Sequence, residues 1–255
     1  MGGKSKVLDT SKNALKGGPR APDGGVDVSK ESEIIKQHFH IFGKQHVKQD
    51  SHNTEFREVR EMVPDQTGFI VAISNLLSAS ECAKLRETME GVGLNVASQA
   101  DLNPRKNEAY VDRESLTFRD AALENVLCSR LAPLMPQVEG REFVGFLPRW
   151  RYYIYRKGQS FGKHVDVATK GSLPGEETEY TLLVYLNGQG ECDLEGGETI
   201  FWATARKVLC EVSPQTGMCL LHAHGRRCLL HEGALVRKGT KYVLRTDVMY
   251  RRISS

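Results

Sequence analysis

The sequence predicts an α+β fold built on a β-sandwich or jelly roll, and three observations carry that expectation. Its 255 residues, 40% of them hydrophobic, suffice for one sizeable core with an appendage rather than for two full domains. Helical patterns lead the part expected to fold. From Arg149 onward, short strand-like runs separated by glycine-rich turns take over.

Residues 1–30 are rich in Lys, Gly, Ser and Asp and poor in large apolar side chains, so burial cannot offset the entropy of ordering them. They are expected to form a disordered tail. Gly2 does not begin a myristoylation signal, because Lys6 stands where Ser or Thr is needed, and Gly3-Lys4-Ser5 has no room before it for a phosphate loop. From Glu31 to Glu61, Ile34, Ile35, His38, Ile41 and Phe42 approximate a helical stripe that Gly43 interrupts. His38, His40 and His46 on this polar segment read as exposed histidines. The division expected is an extension of residues 1–60, disordered or weakly ordered, then a supporting strand and helices over 61–148. A strand-rich core over 149–255 shares one structural domain with them.

Phe69–Ile73 is a short apolar run with β-branched residues and reads as a strand. Ser78 and Glu81 make a capping box for a helix running to about Glu90, ended by Gly91 and Gly93. A second helix is predicted from Arg119 to Ala132, where Pro133 and Pro136 stop it. The strands Arg151–Arg156 and Tyr180–Leu186 are rich in strand-forming residues. Further strands are expected at Thr199–Trp202, Val208–Val212, Gly217–Leu221, Arg227–Leu230 and Lys241–Tyr250.

The charge balance, 35 basic against 32 acidic residues for a formal +3, offers no excess to draw a polyanion, so nucleic acid is not an expected partner. Six scattered cysteines without a Cys-x-x-Cys pair argue against a zinc ribbon or a thioredoxin-like site and suit reduced thiols. The start of the chain has no apolar run suited to a signal peptide, and no stretch approaches a membrane span. The expected location is cytoplasmic or nuclear, with no membrane partner.

His164 and Asp166 are two apart, so on an extended chain both side chains leave the same face and can hold one metal. His231, 67 residues after His164, could supply a third ligand from another strand. Two imidazoles and one carboxylate on one face of iron(II) leave the opposite positions open for a bidentate co-substrate and oxygen. Lys241 follows His231 by ten residues and offers a cation on the next strand; Arg245, four residues further, points to the same face of a regular strand. A competing pair, His222 and His224, could make a cupin-like site with Asp193 or Glu195. This pair competes with His231 for the place of the further ligand.

The motifs Tyr155-Arg-Lys-Gly-Gln-Ser-Phe-Gly-Lys-His-Val-Asp166, Thr181-Leu-Leu-Val-Tyr-Leu-Asn187, Gly196-Gly-Glu-Thr199 and His231-Glu-Gly resemble the prolyl 4-hydroxylase-type iron(II)/2-oxoglutarate-dependent dioxygenases. The resemblance runs from about Arg149 to Tyr250. It implies a double-stranded β-helix (jelly roll), here with flanking N-terminal helices, whose mouth holds iron(II), 2-oxoglutarate, O2 and substrate, with ascorbate keeping the iron reduced. His164, Asp166 and His231 match the metal ligands and catalytic centre. Lys241 matches the basic anchor of 2-oxoglutarate, with Arg245 the alternative cation, and Tyr155 and Tyr185 match phenols that touch the co-substrate. The implied reaction hydroxylates a C–H bond of a peptidyl or small-molecule substrate while 2-oxoglutarate becomes succinate and CO2. The rivals are a catalytically silent jelly-roll binding or sensor module and a zinc hydrolase using the same ligands.

Overall fold

A computed structural model describes residues 59–62, 69–96, 99–105 and 108–253. The tail 1–30 and the segment bearing His38, His40 and His46 lie outside the described residues.

Two β-sheets face each other, and helices cover the outer side of the larger one. The larger sheet has eight strands. These are β1 (Val59–Glu61), β2 (Ile70–Ile73), β4 (Glu114–Phe118), β5 (Arg141–Phe146), β6 (Trp150–Arg156), β8 (Glu176–Tyr185), β12 (Cys219–Ala223) and β15 (Thr240–Arg252). They run in the order β1-β2-β12-β8-β15-β6-β4, and β5 also pairs with β15. The smaller sheet has the order β11-β10-β13-β7-β3, with β3 (Val111–Asp112), β7 (Ser160–His164), β10 (Thr199–Thr204), β11 (Lys207–Val212) and β13 (Leu230–Gly233). A two-stranded ribbon joins β9 (Glu195–Gly196) to β14 (Val236–Lys238). The sandwich built on sheets is thus observed.

Side chains alternate across a strand, and both faces of the large sheet are buried. Val71, Ile73, Tyr152, Ile154, Leu182, Val184, Cys219, Leu221, Tyr242 and Leu244 face the helical side and join one core. Their neighbours Ile70, Ala72, Tyr153, Tyr155, Tyr185, Leu220 and Val243 face the smaller sheet and join a second core with Phe161, Phe201 and Val212. This double burial is why the strands read as nearly continuous apolar runs. It also means that a polar residue on the inner face, such as His222, Lys241 or Asp247, sits between two layers and needs a chemical reason to be there.

Helix α1 (Ala79–Gly91) starts at the anticipated capping box: Glu81 N–H donates to Ser78 Oγ at 3.2 Å and Ser78 N–H donates to Glu81 at 2.8 Å. A single turn, α2 (Gln99–Leu102), follows, and α3 (Ala121–Leu131) is capped by Asp120, whose carboxylate accepts from Ala122 and Leu123 N–H. Leu85 and Met89 of α1 and Leu123, Leu127 and Leu131 of α3 pack onto the outer face of the large sheet.

The strand expected at Arg227–Leu230 is displaced. A 3-10 turn occupies Gly225–Arg227 and the strand begins at Leu230, because Gly225 N–H and Cys228 N–H close a tight turn against Asp166 O and Gly225 O. Seven of the described strands went unanticipated: β1, β3, β4, β5, β7, β9 and β14. Each is short and carries polar or glycine residues, so tertiary pairing rather than local preference extends it. No described helix is long and apolar enough to cross a membrane. All six cysteines are free thiols.

Candidate metal centre

Strands β7 and β13 pair antiparallel with His164 opposite His231, which brings their ring centroids to 4.2 Å. Asp166 lies two residues past the end of β7. Its backbone is clamped by Gly225 N–H donating to Asp166 O at 3.0 Å, and its carboxylate reaches across the sandwich, where Thr181 of β8 donates to Oδ2 at 2.6 Å. Asp166 Oδ1 lies 3.7 Å from His164 Nε2 and Asp166 Oδ2 3.7 Å from His231 Nε2. The three groups are buried, with ligand atoms all within 4.8 Å of one another.

The tautomers follow from the backbone. His164 Nδ1 is 2.8 Å from Gly162 O and His231 Nδ1 is 2.9 Å from Leu229 O. A carbonyl only accepts, so each Nδ1 carries the proton and donates, leaving the Nε2 lone pairs turned toward Asp166. Burial, followed by the His231 imidazole, holds His164 well below the usual histidine range, and burial likewise lowers His231. Burial would raise the Asp166 carboxyl, but the Arg245 guanidinium and then the imidazoles outweigh it and hold the group well below its ordinary value. Neutral imidazoles facing an ionised carboxylate make a donor set that fits a divalent cation.

The cavity beside this cluster is lined by Tyr155, Thr199, Lys241 and Arg245 among others. Lys241 and Tyr155 are register partners on β15 and β6, and Lys241 Nζ stands 5.4 Å from both the Tyr155 and the Tyr185 ring centroids. Lys241 donates to Gly197 O at 2.6 Å. Gly196 and Gly197 take left-handed φ of 87° and 71°, and a Cβ on Gly197 would come within 3.0 Å of Lys241 Cδ. Burial pushes the Lys241 ammonium down to about 7, and Glu198 offsets it only partly. The Tyr185 hydroxyl shares a hydrogen bond with Thr199 Oγ1 at 2.7 Å, and Arg113 Nη1 donates to the Tyr155 hydroxyl at 3.0 Å.

Arg245 does not stand free beside Lys241. Its Nη2 lies 3.1 Å from Asp166 Oδ1 and 3.4 Å from Asp247 Oδ1. The competing arrangement of His222 and His224 with Asp193 or Glu195 is not formed: both acids are exposed and face Lys238 at 3.8 and 3.6 Å. His224 instead lies 3.3 Å from Thr181 Oγ1. His222 does face the cavity, 3.8 Å from Asp166 Oδ2. Sequence reasoning missed Arg113 and Thr181. Arg113 precedes the motif-bearing region, but Thr181 lies within a strand already singled out, where an isolated hydroxyl amid apolar residues is a usable signal.

Residues 150–246 match the family model described as the 2OG-Fe(II) oxygenase superfamily, and this span holds every residue that the motifs had singled out. Within that span the chain is similar to the 2OG-Fe(II) oxygenases. No curated protein matches the sequence significantly. Among solved structures, a prolyl hydroxylase from Trichoplax adhaerens in complex with a hypoxia inducible factor oxygen degradation domain peptide fragment is 17% identical, covering 70% of this chain and 82% of that one with a TM-score of 0.52. A viral collagen prolyl hydroxylase from Paramecium bursaria Chlorella virus-1, as its 2OG complex, is 19% identical over 72% and 96% with a TM-score of 0.47. A Pseudomonas putida prolyl-4-hydroxylase is 17% identical over 72% and 93% with a TM-score of 0.45. At these identities the likeness concerns the fold.

Proposed function

We propose that the protein hydroxylates a C–H bond of a peptidyl substrate, with proline the leading side chain, and that His164, Asp166 and His231 hold the iron(II). The observation that carries this reading is the meeting of three buried ligand atoms, with both imidazoles oriented by carbonyls, beside a cavity that contains a single buried lysine. Bound iron(II) would supply dioxygen activation, so that 2-oxoglutarate and O2 give succinate, CO2 and one oxygen atom on the substrate carbon.

The protein's own groups do the rest. Gly162 O and Leu229 O keep the imidazole lone pairs inward, and Thr181 and Arg245 hold the Asp166 carboxylate ionised and fixed in direction. Lys241, seated between Tyr155 and Tyr185, grips the remote carboxylate of 2-oxoglutarate, and that anion restores its protonation. The apolar walls of Phe161, Leu183 and Val243 keep water from the reacting centre. Ascorbate as reductant, and proline as target, are supported by the sequence resemblance; the Trichoplax neighbour binds a peptide.

The test is anaerobic titration of the full chain with iron(II) and 2-oxoglutarate, followed by admission of O2 and assay for succinate. Chelation of the keto acid to iron gives a weak visible charge-transfer band. Band and succinate together support the reading. Chelation without succinate would favour a silent binding or sensor module, and neither signal, with tight zinc binding, would favour a hydrolase.

A further inference from the structure

A second set of metal-binding atoms adjoins the first. His222 on β12, Cys228 after the 3-10 turn and His231 on β13 offer two nitrogens and a sulfur, all within 4.8 Å of one another. The rings of His222 and His231 meet edge to face at 4.6 Å, and Cys228 Sγ lies beside the His231 ring, whose Nδ1 donates to Leu229 O and whose Nε2 is left for a metal. His222 is 1% exposed, and its Nε2 has no hydrogen-bond partner among the described residues. The mechanism above gives neither His222 nor Cys228 a task.

The backbone prepares the thiol. Gly225 N–H to Asp166 O and Cys228 N–H to Gly225 O fix the turn that presents Cys228. Asp166 N–H donates to Cys228 Sγ at 3.2 Å and fixes its direction, while burial keeps the group a neutral thiol until a metal displaces its proton. Around a tetrahedral zinc-type ion, imidazole nitrogens at ~2.1 Å and a thiolate at ~2.3 Å lie roughly 3.4–3.6 Å apart, so modest side-chain rotation brings these donors to bonding distance.

We propose that His222, Cys228 and His231 form a binding site for a borderline or soft cation such as Zn2+ or Cd2+. A thiolate-bearing donor set selects such ions, whereas the carboxylate-bearing set of His164, Asp166 and His231 suits iron(II). On binding, the Sγ–metal bond forms as the Sγ–H bond breaks and its proton passes to solvent. His231 belongs to both sets, so an ion held by His222 and Cys228 draws His231 away from the iron set. The site requires neither 2-oxoglutarate nor O2 and stands apart from the oxygenase reading.

The experiment is titration of the full chain with Cd2+, reading the ultraviolet thiolate-to-cadmium charge-transfer band. The expected result is a band that saturates at one equivalent. It is expected to weaken on the order of tenfold or more in apparent affinity in Cys228→Ser and in His222→Phe, and to persist in His164→Ala. Should Cys228→Ser melt earlier than the parent, Cys228→Ala removes the ligand without burying a hydroxyl. Absence of the band, its retention in both Cys228 variants, or its loss in His164→Ala would overturn the proposal. Because His164→Ala removes the iron set, failure of the oxygenase reading shows in the iron and succinate assays and not in this band.

Discussion

Arg245 Nη2 lies 3.1 Å from Asp166 Oδ1, inside the sandwich and on the same strand face as Lys241. The two side chains are 11% and 2% exposed, and Asp247 is the second carboxylate on this guanidinium. Removing one partner of a buried ion pair leaves the other uncompensated, at a cost of about 3–5 kcal/mol. Arg245→Gln is therefore expected to lower the melting temperature by roughly ten degrees. Asp166 is held well below its ordinary value, so its contribution to stability is present above the unfolded carboxylate value and is lost as pH falls through the folded one. The variant is expected to unfold at a less acidic pH. An unchanged acid midpoint would show that Arg245 does not hold Asp166 ionised.

Lys241 and Arg245 divide the cationic work of the cavity. Lys241→Ala is expected to raise the KM for 2-oxoglutarate by something on the order of 10- to 100-fold, the loss of one charge-assisted contact, with iron affinity in the absence of co-substrate nearly intact. Arg245→Ala is expected to have the smaller effect on KM because its guanidinium is engaged by Asp166 and Asp247. A larger KM increase for Arg245→Ala would move the anchor to Arg245.

Burial holds the Lys241 ammonium at about 7 against an ordinary 10.5. Between these values the unfolded chain binds more protons than the folded one, so this group makes stability rise with pH across that window. Lys241→Met is expected to flatten the rise, as read from denaturant midpoints at pH 7 and 9. Binding of 2-oxoglutarate at pH 8 is expected to take up protons, measurable by calorimetry in buffers of different ionisation enthalpy. Zero uptake would count against Lys241 as the anchor.

His164→Ala and Asp166→Ala are expected to abolish succinate formation while the protein remains folded by circular dichroism. As proposed ligands these residues serve chemistry, and the cores to either side do not include them. Near-normal turnover in either variant would remove that residue from the ligand set.

The cap of α1 tests the opposite case. Glu81 answers the Ser78 cap and also accepts from Arg130 of α3 at 2.7 and 2.8 Å, tying the two helices together. Ser78→Ala is expected to cost about 1 kcal/mol of stability and to leave KM and kcat unchanged. A change in either kinetic constant would mean that the helical layer is coupled to the cavity.

The sequence alone determined what depends on local order. The capping box at Ser78 and Glu81, the stop at Pro133 and the long strands from Arg149 onward are written in short-range chemistry, as are the His164 and Asp166 pair and the spacing from His231 to Lys241. Only the tertiary structure decided which polar groups meet across the sandwich. Thr181 and His222 enter the cavity from strands, and Arg113 from the link between β3 and β4, whose local pattern reads as core or support, and Arg245 is assigned to Asp166 only because β15 lies opposite the end of β7. Spacing along one strand fixes which face a side chain takes, but a partner on another sheet is set by register and packing, which no single segment encodes.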